Sequence, residues 1–425
     1  MADQEPQALF DTAVPERSRN RARPAKGTKP AETVGGVLER RVGRIEFAEG
    51  ALSRLRVPVT AEGGEPGRDV LSDIDILSID VDARLRLSLS SLECKSAPGQ
   101  RGEPQTLVWL AGFRQLMNLD RVVFVRPTIS TRGRALARRL NISILDEATL
   151  SQRELAHRWV PERFAHLDGA ACAHAEGRTD TQLKGLSEVP SALATFLRNE
   201  ALLASSHASL AAVEALGTAF EKQGVLPEPA ATVLASHALM ALVAAAIRDA
   251  GSLDDLGMRA LRTRLQRALT TGDPDDDYLM ALLERADAVV NHVVTRTHRA
   301  YVDAGAEPLA VAVPSLRDAV ATVPGYLEDY LDFVERLRAN PAVSRSLLQS
   351  VELACFEALV GGPAWMEPAF AHLFTVEHRG LLLVAVRCLR SVAGDQVVNG
   401  VKDIALLTHP RVTDIAPDRR EPNSQ

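Results

Sequence analysis

Asp75, Glu93 and Lys95 are candidates for a shared chemical role in this chain. They lie within Asp73–Ser96, DIDILSIDVDARLRLSLSSLECKS. Two carboxylates and an ammonium gathered at one point make a seat for a divalent cation. Magnesium takes oxygen donors, is usually held by one or two carboxylates, and keeps waters and phosphate oxygens in its other positions. Such an ion polarises a phosphodiester and lowers the pKa of a bound water. A neighbouring lysine can orient the attacking water or help to deprotonate it. These residue types suit hydrolysis of a nucleic-acid backbone.

The segment carrying them reads as two strands joined by a short polar turn. Apolar residues alternate through both arms, Ile74 and Ile76 against Leu77 and Ile79, then Leu85, Leu87 and Leu89. Side chains two apart on a strand share a face, which groups Asp75 with Leu77 and Ile79, and Glu93 and Lys95 with the leucines. A reversal around Ala83–Arg84 makes paired positions sum to 168 and sets Asp75 opposite Glu93. Two carboxylates about 5 Å apart repel by roughly 3 kcal/mol at an effective dielectric near 20. Lys95 relieves part of that, and a cation relieves more. The ordinary reading of the same letters is a set of solvated strand-end charges.

An aspartate ending one strand, followed by Glu-x-Lys on the next, resembles the PD-(D/E)XK nuclease superfamily with its restriction-endonuclease-like fold. The surroundings are similar to its Mrr-type and Holliday-junction-resolvase-like members. The resemblance covers residues 36–155 and implies an α/β domain, a mixed sheet flanked by helices. It implies that Asp75 and Glu93 bind Mg2+ (or Mn2+), with the backbone carbonyl of Cys94 as a third ligand and Lys95 as the catalytic lysine. Glu39, on an expected helix Val37–Leu55, falls where many members carry a further acid, and Gln105 where some carry a supporting glutamine. No proline precedes the aspartate, and Asp73 competes with Asp75 for the motif position.

Further along, a helix is expected over Gln105–Asn118, a strand over Arg121–Arg126, a helix capped by Ser130 or Thr131, and a strand over Ile142–Leu145. Arg126, Arg132, Arg134, Arg138 and Arg139 concentrate positive charge here and are read as a groove for a phosphate backbone. The bland alternative is a solvated helix face. The chain as a whole carries 49 Lys and Arg against 55 Asp and Glu, a net charge of −6, which excludes a generally basic nucleic-acid binder and makes any such contact local.

At 425 residues the chain has room for two or three domains. Residues 1–34, with Arg17, Arg19, Arg21, Arg23, Lys26 and Lys29, read as a disordered basic tail. Residues 35–157 form the nuclease-like domain, 158–190 a linker, 191–410 a larger all-α bundle of eight to ten helices, and 411–425 a second disordered tail. His157, His166, His174 and Cys172 match no zinc spacing, and the histidines are expected to be exposed or capping. The four cysteines are far apart, with no Cys-x-x-Cys pair, which fits a reduced cytoplasm. No signal peptide is expected. Ala230–Ile247 is apolar enough to suggest a membrane span, but its polar residues and alanines favour a buried bundle helix, so no membrane is expected.

The expected function is therefore a metal-dependent nuclease acting on nucleic acid, DNA in the first instance, with a role in prokaryotic defence or repair implied by the resemblance. The helical domain is expected to serve a protein partner, homo-oligomerisation or substrate selection. The alternative from another class is a catalytically silent nucleic-acid-binding or scaffold protein. A minor alternative rests on Arg285 and His292, seven apart on one helix, which resemble the Arg-x(4–6)-His motif of HEPN ribonucleases. Ala286 stands where that motif usually has a polar residue.

Overall fold

A computed structural model of the chain describes residues 34–60, 70–96, 102–272, 277–308, 315–316, 323–407 and 409. The arginine-rich run and both expected tails, apart from residue 34, lie outside the described residues. From Val34 onward the chain gathers into one compact unit.

Helix α1 (Val34–Ala48) buries Leu38, Val42 and Ile45, one stripe of a helical period. It ends seven residues before the expected Leu55. Gly50 takes φ +111° and returns its N–H to the Phe47 carbonyl, a conformation that a side chain would resist. The residues that follow switch to a two-residue period and open strand β1 (Leu52–Thr60), with Val57 and Val59 buried.

Strands β2 (Val70–Val81) and β3 (Leu87–Cys94) form the expected hairpin. Their pairs run from Ile76↔Leu92 to Val81↔Leu87, the register in which partners sum to 168. At the turn the Asp82 carboxylate accepts the N–H groups of Arg84 (2.7 Å) and Arg86 (2.9 Å). Leu85 sits at φ +65°, uncommon for a leucine, and is fully buried. The sheet continues through α2 (Glu103–Leu116) to β4 (Arg121–Val125), and through α3 (Thr131–Arg139) to β5 (Ser143–Leu145). Ser130 caps α3 by accepting the Gly133 N–H, and Asp146 caps α4 (Glu147–Ala156) by accepting that of Thr149. The strand order is β1-β2-β3-β4-β5, antiparallel as far as β3 and parallel beyond it. The α/β part is thus a mixed five-stranded sheet with helices, and the remainder is largely helical.

That remainder comprises α5 (Ala170–Leu183), α6 (Ser191–Thr195), α7 (Ser206–Gln223), α8 (Ala230–Thr271), α9 (Asp277–Asp303), α10 (Leu327–Ala339), α11 (Pro341–Ser344), α12 (Leu347–Leu353) and α13 (Val376–Asn399). Helices α6 and α12 each run on into a π turn, Phe196–Glu200 and Ala354–Ala358. Among the described residues, α8 alone is long and apolar enough to cross a bilayer, and 89% of its most apolar window is buried within the protein. It packs against α5, α7, α10 and α13 and breaks at Gly257 (φ 70°).

The larger core runs from the sheet into the helices, and a smaller one joins α1 and α4 to β2–β5. Gln349 of α12 donates to the Phe47 and Ala51 carbonyls, and Arg345 and Arg338 reach the Val81 and Arg84 carbonyls at the hairpin turn. The turn also presses on α8 at Gly251, where a Cβ would stand 2.4 Å from the Leu85 oxygen. The stretch 158–190, expected as a linker, buries Val160, Phe164, Leu167 and Cys172 in the larger core and carries α5. Its buried positions follow neither a helical nor a strand period before α5 begins, so sequence pattern alone could not show them.

Candidate active site

The end of the β2–β3 hairpin gathers the charged residues. Asp75 lies one residue beyond the last paired position of β2, and its Oδ2 accepts the Cys94 N–H at 2.8 Å. That bond ties the aspartate to the strand carrying Glu93. Lys95 follows β3, donates its backbone N–H to the Val125 carbonyl of β4 (2.9 Å), and sets its Nζ 2.5 Å from Glu93 Oε1. Glu93 is buried while the Lys95 side chain is about half exposed, so the ammonium closes the solvent side of a recessed carboxylate.

Two elements that flank the hairpin complete the cluster. From α1, Glu39 faces Asp75 and Glu93 closely enough to be destabilised by both charges. From β1, Arg56 sets its Nε 3.1 Å from Glu39 Oε2 and its Nη2 2.6 Å from Asp168 Oδ1. Asp168 also meets Arg40 of α1 at 3.4 Å. Asp168 lies in the stretch read as a linker, and nothing local in the sequence marks it. Arg56 was hidden for a different reason, since its role follows from φ +54°, an interruption of the strand that pattern does not reveal.

The electrostatics express crowding. Burial pushes the Asp75 carboxyl up, against the opposing pull of the Cys94 N–H and the Lys95 charge. Burial and then Asp75 raise Glu93, with Lys95 opposing. Burial and then Asp75 raise Glu39, with Arg56 opposing. Burial tends to lower Lys95, but its hydrogen bond to Glu93 and the charges of Glu93 and Asp75 outweigh this and hold it above the usual lysine range. Three carboxyls are thus held reluctant to ionise together, around one ammonium that keeps its proton.

The remaining expected residues are more scattered. Asp73 is exposed and stands opposite Pro58 in β1, so Asp75 is the aspartate joined to β3. Gln105 is exposed on the first turn of α2. The Cys94 thiol is buried, and its backbone lies between the two motif side chains. Arg126 is turned inward, 8% exposed and 3.7 Å from the buried Glu103, which takes it out of any open phosphate groove. Arg134 is paired with Asp146 at 2.6 Å. Arg132, Arg138 and Arg139 are exposed, the first beside the strand ends and the other two in the last turn of α3, about 9 Å further along the helix.

Arg285 and His292 both lie on the exposed surface of α9. His174 is exposed, as expected for a surface histidine. His166 departs from that expectation: it is largely enclosed, with its Nδ1 2.5 Å from Glu352. Its partners come from α5, α8 and α12, distances in sequence that no local spacing rule spans. Set against known protein families, curated proteins and solved structures, the chain matches none.

Proposed function

We propose that this protein is a metal-dependent nuclease of the PD-(D/E)XK type, hydrolysing phosphodiester bonds of nucleic acid, with DNA the first substrate to test. The observation that carries the reading is the gathering of Glu39, Asp75, Glu93 and Lys95 at one end of a mixed sheet, with all three carboxyls raised by burial and those of Glu39 and Glu93 raised further by Asp75. The donor types suit a hard cation, since they are carboxylate oxygens, and a bound ion would draw together Glu39, Asp75 and Glu93, whose oxygens do not all lie within 4.8 Å of one another. Glu39 Oε2 is buried and, despite its charge contact with Arg56, accepts no hydrogen bond. Asp75, Glu93 and the Cys94 carbonyl would hold Mg2+ or Mn2+, with Glu39 as an auxiliary acid. The ion, when bound, would polarise the scissile phosphate and acidify a water.

The chain's own residues divide the remaining work. Asp75 is oriented by the Cys94 N–H, which occupies Oδ2 and leaves Oδ1 to face the site. Lys95, set beside Glu93, is placed to orient the attacking water or to help deprotonate it. Arg132 lies on the exposed side of α3 nearest the strand ends and suits contact with the phosphate backbone. The full-length chain is to be incubated with Mg2+ or Mn2+ and plasmid, linear single-stranded DNA or RNA. Cleavage that falls at least about 100-fold in both Glu93→Gln and Lys95→Ala is the expected result. Cutting that survives both would move the activity to the helical half, with His292→Ala the next variant. Salt-sensitive binding without cutting would favour a silent nucleic-acid-binding or scaffold protein.

A further inference from the structure

We propose that His166, Glu176 and His237 form a site for a divalent transition ion of the zinc class, separate from the carboxylate cluster and independent of the nuclease reading. The three side chains come from the loop before α5, from α5 and from α8. One donor atom from each lies within 4.8 Å of the others. His237 Nε2 is 2.7 Å from Glu176 Oε1, and His166 Nε2 is 3.5 Å from the same oxygen. Donor atoms around a tetrahedral zinc with bonds near 2.0–2.1 Å stand about 3.3 Å apart, so small shifts would seat an ion between them.

Two of the three donors also have a partner that orients them. His166 Nδ1 is 2.5 Å from Glu352 Oε1, and Glu352 is itself paired with Arg54 at 2.9 Å. A carboxylate on one imidazole nitrogen fixes the tautomer and leaves the other nitrogen as the ligand. That other nitrogen, His166 Nε2, is shut off from solvent and makes no hydrogen bond. Glu176 is anchored through Oε2 by Arg198 at 2.7 Å, which leaves Oε1 toward the two histidines. His237 is fully buried. Phe356, in the π turn after α12, packs its ring 4.4 Å from the His166 ring and 4.7 Å from that of His237, walling the space between them. Such π turns recur at functional sites. Two imidazoles beside a carboxylate select a borderline ion such as Zn2+ over Mg2+.

The test is made on the full-length chain, stripped with a chelator and then titrated with Zn2+ and, as a spectroscopic probe, with Co2+. The expected result is one ion per chain, a rise in Tm on Zn2+ addition, and visible Co2+ bands of tetrahedral strength. Glu176→Gln and His237→Gln lose the ion and the bands, whereas Glu93→Gln keeps both and so separates this site from the carboxylate cluster. A stripped wild-type chain whose Tm ignores Zn2+ and whose Co2+ spectrum stays that of the hydrated ion would overturn the proposal. Retention of the ion by both site variants, with an unchanged spectrum, would overturn it as well. Because the wild-type titration decides by itself, a variant that fails to fold does not shelter the proposal.

Discussion

Replacing Arg54 with methionine tests whether sheet and helices are held as one body by charge as well as by apolar packing. Arg54 sits on β1, 4% exposed, with its Nη2 2.9 Å from Glu352 Oε2, itself 2% exposed. Its Nη1 donates to the Arg198 carbonyl, and its guanidinium lies 5.1 Å over the Phe356 ring. Burial alone would raise the Glu352 carboxyl, but Arg54 and then His166 overcome it and bring the pKa from 4.5 down to about 2. A displacement of that size corresponds to about 3 kcal/mol of stabilisation. Because the folded pKa is depressed, this contribution is fully present above the unfolded value and is lost as pH falls toward the folded one.

Removing one partner of a buried pair costs about 3–5 kcal/mol, since the other is left charged in a dry site. Unfolding entropy of about 2 cal/mol/K per residue makes that a fall in Tm of roughly 4–6 °C for a unit of this length. Denaturant unfolding of wild type, Arg54→Met, Glu352→Gln and the double variant at neutral pH closes the cycle. The double variant should lose less than the sum of the singles by about 2 kcal/mol, and the Arg54→Met deficit should shrink toward about pH 3. A deficit under about 1 kcal/mol, an additive double variant, or a pH-independent deficit would refute the electrostatic account.

Glu39, Asp75 and Glu93 have raised folded pKa values, so the stability they contribute is present below their unfolded values and is lost as pH rises through the folded ones. Mg2+ should therefore raise Tm near pH 8 and have little effect near pH 4, and Glu93→Gln should blunt that difference in a scanning calorimeter. Arg132→Ala should reduce the slope of log binding constant against log salt by about 1 in a DNA titration, leaving stability unchanged. Arg126→Ala should instead cost about 1–3 kcal/mol in denaturant unfolding, because it strips the buried Glu103 of its cation. Gly251→Ala should destabilise by about 1–3 kcal/mol, because the added carbon meets the Leu85 carbonyl of the hairpin turn.

The hairpin register was legible because the side-chain period on a strand is two, so one apolar pattern and one polar turn leave a single pairing that buries both arms. A cap at Ser130 or Thr131 was legible for a similar reason, since a cap is a bond between residues three apart, and Ser130 provides it. The end of α1 was misplaced because Leu52 and Leu55 satisfy a helical spacing as readily as a strand, and Gly50 decides between them through its φ.

Local periods, the turn and the polar residues at the hairpin's end could be read from the chain's letters. Which charges face one another across elements was set by tertiary packing. Arg56 meets Asp168, Arg54 meets Glu352, and His166 meets Glu176 and His237, pairs up to 298 residues apart. It also took Arg126 out of the basic surface by giving it a buried acid. A side chain's period says which face it occupies, but its partner depends on which other element packs over that face, and that is fixed by the whole core together.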